Sequence, residues 1–147
     1  MSEETFKKRV LFVGIPDMAY VCLDGLVLSG VNIVGAIGAK KDHPSYQRFK
    51  DFVQSRNLNF IEYDDLEEAA FINKIKDLNA DIAVVCSFNY KVPQVLLGAV
   101  KDGFVNVHPS LLPKYRGPNP YTLVIINNEK ETGVTLHFMD ESYDGGE

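Results

Sequence analysis

The chain has 147 residues, 46% of them hydrophobic and 24% charged, and a net charge of −5. That size and balance fit one globular domain with a sizeable core, and the acidic balance argues against a general polyanion-binding surface. No apolar stretch approaches the roughly 20 residues of a bilayer-spanning helix. The opening Met1-Ser2-Glu3-Glu4-Thr5 lacks the pattern of a secretory signal, and two cysteines, Cys22 and Cys86, fit a cytoplasmic protein with reduced thiols.

Arg9 to Ile15 is a largely apolar run ended by Gly14 and Pro16, which predicts a buried parallel strand. Pro16-Asp17 suits a helix start, apolar residues recur from Met18 to Leu28, and Ser29-Gly30 ends the helix. Val31 to Ile37 predicts a second strand. A helix over about Pro44 to Arg56 puts Tyr46, Phe49, Phe52 and Val53 on one face. Asn59 to Tyr63 predicts a third strand, and Asp65 is the expected cap of a helix carrying Leu66, Ala69, Ala70, Ile72, Ile75 and Leu78. Asp81 to Cys86 and Phe104 to Val107 predict two more strands. Pro120 to Ile126 reads as a helix, and the segment from Thr132 to Asp140 alternates as a strand does. Strands alternating with helices imply an α/β fold, a doubly wound and mostly parallel sheet of the Rossmann-like kind, with ligands beyond the carboxyl ends of the strands.

The densest chemistry lies in Asn106-Val107-His108-Pro109-Ser110-Leu111-Leu112-Pro113-Lys114-Tyr115-Arg116-Gly117. Residues two apart on a strand share a face, so Asn106 and His108 are expected to project together from a strand end that Pro109 stops. An amide donor and an imidazole on a rigid edge suit addition to a carbonyl: one stabilises an oxyanion and the other carries a proton. Asp144, in the turn-like Asp144-Gly145-Gly146, is a candidate to set the charge or tautomer of His108. Residues 109–120 hold four of the seven prolines, which reads as a preorganised wall with Tyr115 and Arg116 against substrate. Ser110 and the strand-end Gly14 join them as substrate-binding candidates.

His137 alternates with Leu136 and Phe138 and is expected to be structural or cleft-lining, while His43 precedes Pro44 in a polar loop and is expected to be solvated. Three separated histidines and two distant cysteines offer no metal-ligand spacing, so no metal is expected. Gly14-Ile15-Pro16-Asp17 is not a phosphate cradle, because Pro16 lacks one of the N–H groups a cradle uses.

At these residues the chain resembles the 10-formyltetrahydrofolate-dependent formyltransferases. The similarity rests on Asn106-x-His108-Pro109-Ser110-Leu111-Leu112-Pro113-x-Tyr115-Arg116-Gly117, then Thr132-Gly133-Val134-Thr135, then Asp144-x-Gly146. It reaches the N-terminal region more thinly, where Phe12-Val13-Gly14-Ile15-Pro16-Asp17-Met18-Ala19 is similar to the opening of methionyl-tRNA formyltransferases. The resemblance implies that an acceptor amine attacks the formyl carbon of 10-formyltetrahydrofolate, that Asn106 and protonated His108 stabilise the tetrahedral oxyanion, and that Asp144 supports His108 and helps to move the amine's proton. It implies folate contacts along Phe88, Asn89, Tyr90 and Val92 and at Asp140. Tyr90-Lys91 replaces the more apolar residues of several relatives.

The acceptor stays open between methionyl-tRNA, toward which the overall resemblance leans, and an amino sugar, toward which the short Gly38 to His43 stretch points because it lacks a longer basic insertion; Lys40 and Lys41 alone support tRNA contact weakly. A hydrolase using water in place of the amine is an alternative in the same fold. The family's catalytic domain continues with another strand and helix, and some members add a barrel domain. Residues 1–147 are therefore expected to be a formyltransferase catalytic domain without those parts. A folate- or partner-binding module without turnover is the rival from a different class, and an uncovered apolar edge would favour it.

Overall fold

A computed structural model describes residues 8–117 and 120–140. Chain order is β1 (Arg9–Gly14), α1 (Met18–Leu28), β2 (Asn32–Ile37), α2 (Tyr46–Ser55), β3 (Phe60–Ile61), α3 (Ala69–Asp77), β4 (Ile82–Cys86), α4 (Gln94–Leu97), β5 (Phe104–His108), α5 (Pro120–Ile126) and β6 (Thr135–Phe138). The six strands form one sheet in the order β3-β2-β1-β4-β5-β6. The first five are parallel, and β6 runs antiparallel to β5. The chain winds outward from β1 to β3, returns to lay β4 beside β1, and continues the other way. This is the doubly wound α/β arrangement expected from the alternating elements.

Side-chain alternation along the strands builds a core on each face. Leu11 and Val13 of β1 pack with Ala83, Val85 and Phe104 against Phe71, Ile72 and Ile75 of α3 and Leu96 of α4. Val10 and Phe12 face the other way and meet Ala19 and Leu23 of α1 and Phe49 and Val53 of α2. Burial of Phe12, Phe49 and Phe104 is essentially complete, each contributing on the order of 1.5–3 kcal/mol from apolar area removed from water. Phe104 also sets the frame of the site. Two and four residues beyond it on β5, Asn106 and His108 lie on the same face, the one covered by α3 and α4.

Several boundaries differ from the sequence reading. Asp65 does not cap α3: its carboxylate accepts the Glu67 N–H at 2.9 Å in a turn, and the helix begins at Ala69 after an extended Glu68. The acidic run Asp64 to Glu68 favours local turn bonding over coiling, yet Leu66 within it still reaches the core. β3 has only two residues, and β6 starts at Thr135 rather than Thr132. The single turn α4, which follows Pro93, is too short to leave a helical period in the sequence. His43, expected to be solvated, is partly buried. Its Nδ1 accepts from the Ser45 hydroxyl at 2.8 Å and from the Ser45 N–H at 3.1 Å, tying down the turn before α2.

Candidate functional site

The site is built on the carboxyl end of β5. His108 is 4% exposed, and its Nε2 lies 2.8 Å from the Tyr115 carbonyl oxygen. A carbonyl only accepts, so this nitrogen carries the hydrogen of that bond. Tyr115 reaches His108 because the loop after Pro109 curls back. The Ser110 N–H donates to the His108 carbonyl at 2.9 Å, the Ser110 hydroxyl donates to the Lys114 carbonyl at 2.8 Å, and Tyr115 adopts a φ of 58°. β6 clamps the same loop: the Thr135 hydroxyl donates to the Ser110 carbonyl at 2.6 Å and accepts the Leu112 N–H at 3.1 Å. Thr135 opposes His108 in the sheet register, so one strand pair fixes both the imidazole and its loop.

Asn106 is opposed by His137 of β6, and its Nδ2 lies 3.2 Å from the His137 Nε2. The His108 and His137 rings sit edge to face, 6.5 Å apart. Asn106, His108 and His137 thus form one compact polar group on the strand pair. The expected shared projection of Asn106 and His108 agrees with their positions on β5. Asp144 lies outside the described residues.

The other candidates spread along the same sheet edge. Phe88 and Tyr90 pack edge to face at 5.3 Å, and Val92 is buried beneath them while Asn89 is exposed. The Lys40 ammonium lies 5.4 Å from the centre of the Tyr90 ring, so Lys40 bridges the loops after β2 and β4. Tyr90 and Val92 line a cavity of about 520 Å³ with Lys40, Asp65, Glu67 and Lys91, a volume within the range of small-molecule sites. Asp140 is exposed just past β6. Gly14 is held by packing. A Cβ there would stand 2.6 Å from the Cys86 carbonyl oxygen and 2.8 Å from the Ala19 Cβ. Ser110 is completely buried inside its loop and Arg116 is exposed. The Tyr115 hydroxyl donates to Glu129 at 2.6 Å, and that bond, with partial burial, raises the phenol above its ordinary range. Tyr115 therefore enters the site through its carbonyl, a role no residue type announces. The Asn106–His137 pair was also missed, since it depends on the β5–β6 register. Among the described residues no group of three His, Cys, Asp or Glu side chains is placed to hold a metal ion, and no helix is long and apolar enough to cross a membrane.

A doubly wound sheet with polar side chains gathered beyond its carboxyl edge defines an α/β domain of the ligand-binding class. The chain belongs to the formyl transferase family, whose model matches residues 9–147. The methionyl-tRNA formyltransferase of Azobacteroides pseudotrichonymphae genomovar. CFP2 is 37% identical over 147 residues, covering 95% of this chain and 45% of the relative. Among solved structures, phosphoribosylglycinamide formyltransferase from Bacillus halodurans matches with a TM-score of 0.76 at 26% identity, covering 95% of this chain and 75% of that one. A formyltetrahydrofolate deformylase from Pseudomonas syringae pv. tomato shares the fold, with a TM-score of 0.73 at 21% identity over 95% of this chain and 48% of that one. The chain spans about half the length of the curated relatives it matches.

Proposed function

We propose that this domain transfers the formyl group of 10-formyltetrahydrofolate to an acceptor amine. The observation that carries the reading is the pairing of Asn106 and His108 on β5, each side chain held by a partner from another element. The amine nitrogen attacks the formyl carbon, and the carbonyl electron pair moves onto oxygen. An N–H of Asn106 and the protonated His108 ring stabilise that oxyanion, where preorganised donors act most strongly. Collapse breaks the bond between the formyl carbon and the folate nitrogen. The amine's proton leaves by way of Asp144 and finishes on the departing nitrogen. The folate ring lies along Phe88, Asn89, Tyr90 and Val92, flanked by Asp140; the cavity beside Tyr90 combines an apolar wall with a rim of Lys40, Lys91, Asp65 and Glu67, of which the two lysines suit an acidic tail. The acceptor lies on the side of Gly14, Ser110, Tyr115 and Arg116. Methionyl-tRNA is the favoured acceptor because curated relatives at 33–37% identity carry that name, and both substrates suit a cytoplasmic protein.

A second reading has its own observation. Leu136 and Phe138 of the edge strand β6 are 66% and 50% exposed, the kind of apolar edge that suits a partner-binding module without turnover.

Loss of 10-formyltetrahydrofolate, followed by absorbance with methionyl-tRNA, with a nucleotide-linked amino sugar and without amine, separates the readings. Formylated amine supports transfer and names the acceptor. Formate release alone identifies a hydrolase, and folate binding without turnover identifies the binding module. In the transferase, His108→Ala is expected to lower kcat by about 10²-fold or more with an unchanged unfolding midpoint; turnover like that of the parent would remove His108 from the mechanism.

A further inference from the structure

The polar group on β5 and β6 contains one side chain that the proposed reaction does not use. His137 is 6% exposed and stands directly across the sheet from Asn106. Its Nδ1 lies 3.2 Å from the carbonyl oxygen of Phe138, and its Nε2 lies 3.2 Å from the Asn106 Nδ2. The carbonyl cannot donate, so Nδ1 must carry a hydrogen. In the neutral ring Nε2 then presents a lone pair. Only the NH₂ end of the Asn106 amide can answer it; the oxygen end would set two acceptors against each other. The chain of bonds from the Phe138 carbonyl through the imidazole to the amide therefore decides which end of Asn106 faces β6.

That decision matters for an oxyanion donor. An asparagine amide rotates about its terminal bond, and its oxygen and nitrogen fit almost the same space. Turned over, Asn106 would offer an acceptor where the reaction needs a hydrogen. With one N–H committed to His137, the orientation of the second N–H and of the oxygen follows from the planarity of the amide. β6 holds the imidazole in register opposite Asn106, because Thr135 on the same strand is bonded into the Ser110 loop and the Met139 N–H donates to the Phe104 carbonyl at 2.8 Å.

We propose that His137 is a positioning residue that fixes the amide of Asn106 in the orientation that presents an N–H to the developing oxyanion. The proposal rests on the reading of Asn106 as an oxyanion donor, and it names a residue that the carbonyl-addition motif does not contain. His137 acts through Asn106 and needs no contact with the reacting atoms.

Two variants and two readouts test it. His137→Leu removes the acceptor, whereas His137→Gln restores an acceptor oxygen near the position of Nε2. With 10-formyltetrahydrofolate and methionyl-tRNA, His137→Leu is expected to lower kcat by about tenfold or more, less than full loss of an oxyanion donor. The folate KM is expected to stay within about twofold. His137→Gln is expected to recover most of the loss. The second readout is the side-chain NH₂ of Asn106 in ¹⁵N–¹H spectra of this chain, assigned with Asn106→Asp. In the parent and in His137→Gln, one of its two protons is expected to be shifted downfield and protected from solvent exchange; in His137→Leu that signature is expected to vanish. An unchanged kcat in a folded His137→Leu, or an Asn106 signature indifferent to it, overturns the proposal. If the parent chain shows no turnover, the transfer reading fails while the NMR experiment still decides the positioning role. If His137→Leu does not fold, His137→Gln and His137→Asn are compared in the same way, and equal spectra for the two amides overturn the assignment, because only glutamine reaches the Nε2 position.

Discussion

At the scale of single residues, Tyr115 separates what a side chain contributes from what its backbone contributes. Its carbonyl receives the His108 Nε2 hydrogen, and its hydroxyl is spent on Glu129. Tyr115→Phe keeps the carbonyl in place and removes only a partly buried hydrogen bond, so turnover is expected to stay within about threefold and stability within about 1 kcal/mol. Tyr115→Val is different. A β-branched residue is strained at the φ of 58° found here, and the carbonyl should swing away from His108 at a cost on the order of 1–3 kcal/mol. Steady-state kinetics and urea unfolding of the two variants check this. If Phe were as damaging as Val, the phenol would be the working part and the carbonyl assignment wrong.

At the scale of elements, two contacts hold the frame that presents the site. Gly14 ends β1 where the chain turns into α1, with the Cys86 carbonyl oxygen 2.6 Å and the Ala19 Cβ 2.8 Å from the place a methyl group would occupy. Neither neighbour is the end of a flexible side chain. Gly14→Ala is therefore expected to cost about 1–3 kcal/mol by overpacking, read as a lower urea midpoint; an unchanged midpoint would mean that α1 shifts freely on the sheet. The second contact joins α2 to the segment after β3. Glu62 accepts from Lys50 at 2.8 Å and from the Tyr46 hydroxyl. Its carboxyl is held down to about 2 from an ordinary 4.5, by Lys50 first and Tyr46 next. The folded state thus binds this proton less readily than the unfolded chain. The contribution to stability is complete above about pH 4.5 and is lost as pH falls toward 2. Glu62→Gln should accordingly lie below the parent in urea midpoint at pH 6, with the gap narrowing below about pH 4.5 and closing as pH falls through about 2. A gap that stays constant over that range would show that the ion pair contributes nothing.

The same elements show how far the sequence alone could be read. β1 and β4 were legible because strands covered on both faces must be apolar along their length, β5 was legible from its apolar start Phe104-Val105, and Pro120 to Ile126 was legible because proline marks a first helical turn. The shared face of Asn106 and His108 followed from strand periodicity. Asp65 misled because an aspartate makes the same local bond in a turn as at a cap. The His137 contact depends on which residue of β6 falls opposite Asn106, and the Tyr115 contact on the path of a loop. Neither register nor loop path is encoded in a local pattern.

For the molecule as a whole, strand order predicts a gradient of rigidity that runs through the site. β1 and β4 lie at the centre of the sheet, hydrogen-bonded on both sides and packed on both faces. β3 contributes two residues at one edge, and β6 contributes four at the other, with Leu136 and Phe138 exposed. Opening free energies follow buried contacts and hydrogen bonding, so amides of β1 and β4 should exchange at or near the global limit and those of β3 and β6 well before it. β5 lies between these regimes. Its amides face a central strand on one side and a lightly covered edge on the other, which places Asn106 and His108 on the last firm strand and His137 on the first loose one. Hydrogen exchange followed by mass spectrometry or NMR is expected to rank protection as β1 and β4 first, then β2 and β5, then β3 and β6. Added 10-formyltetrahydrofolate is expected to slow exchange in β6 and in residues 109–116 more than in β1, because the central strands have little opening left to suppress. If β6 already exchanged as slowly as β1 in the free chain, the edge would not be the adjustable part of the site, and any ligand-induced ordering would have to be sought elsewhere in the molecule.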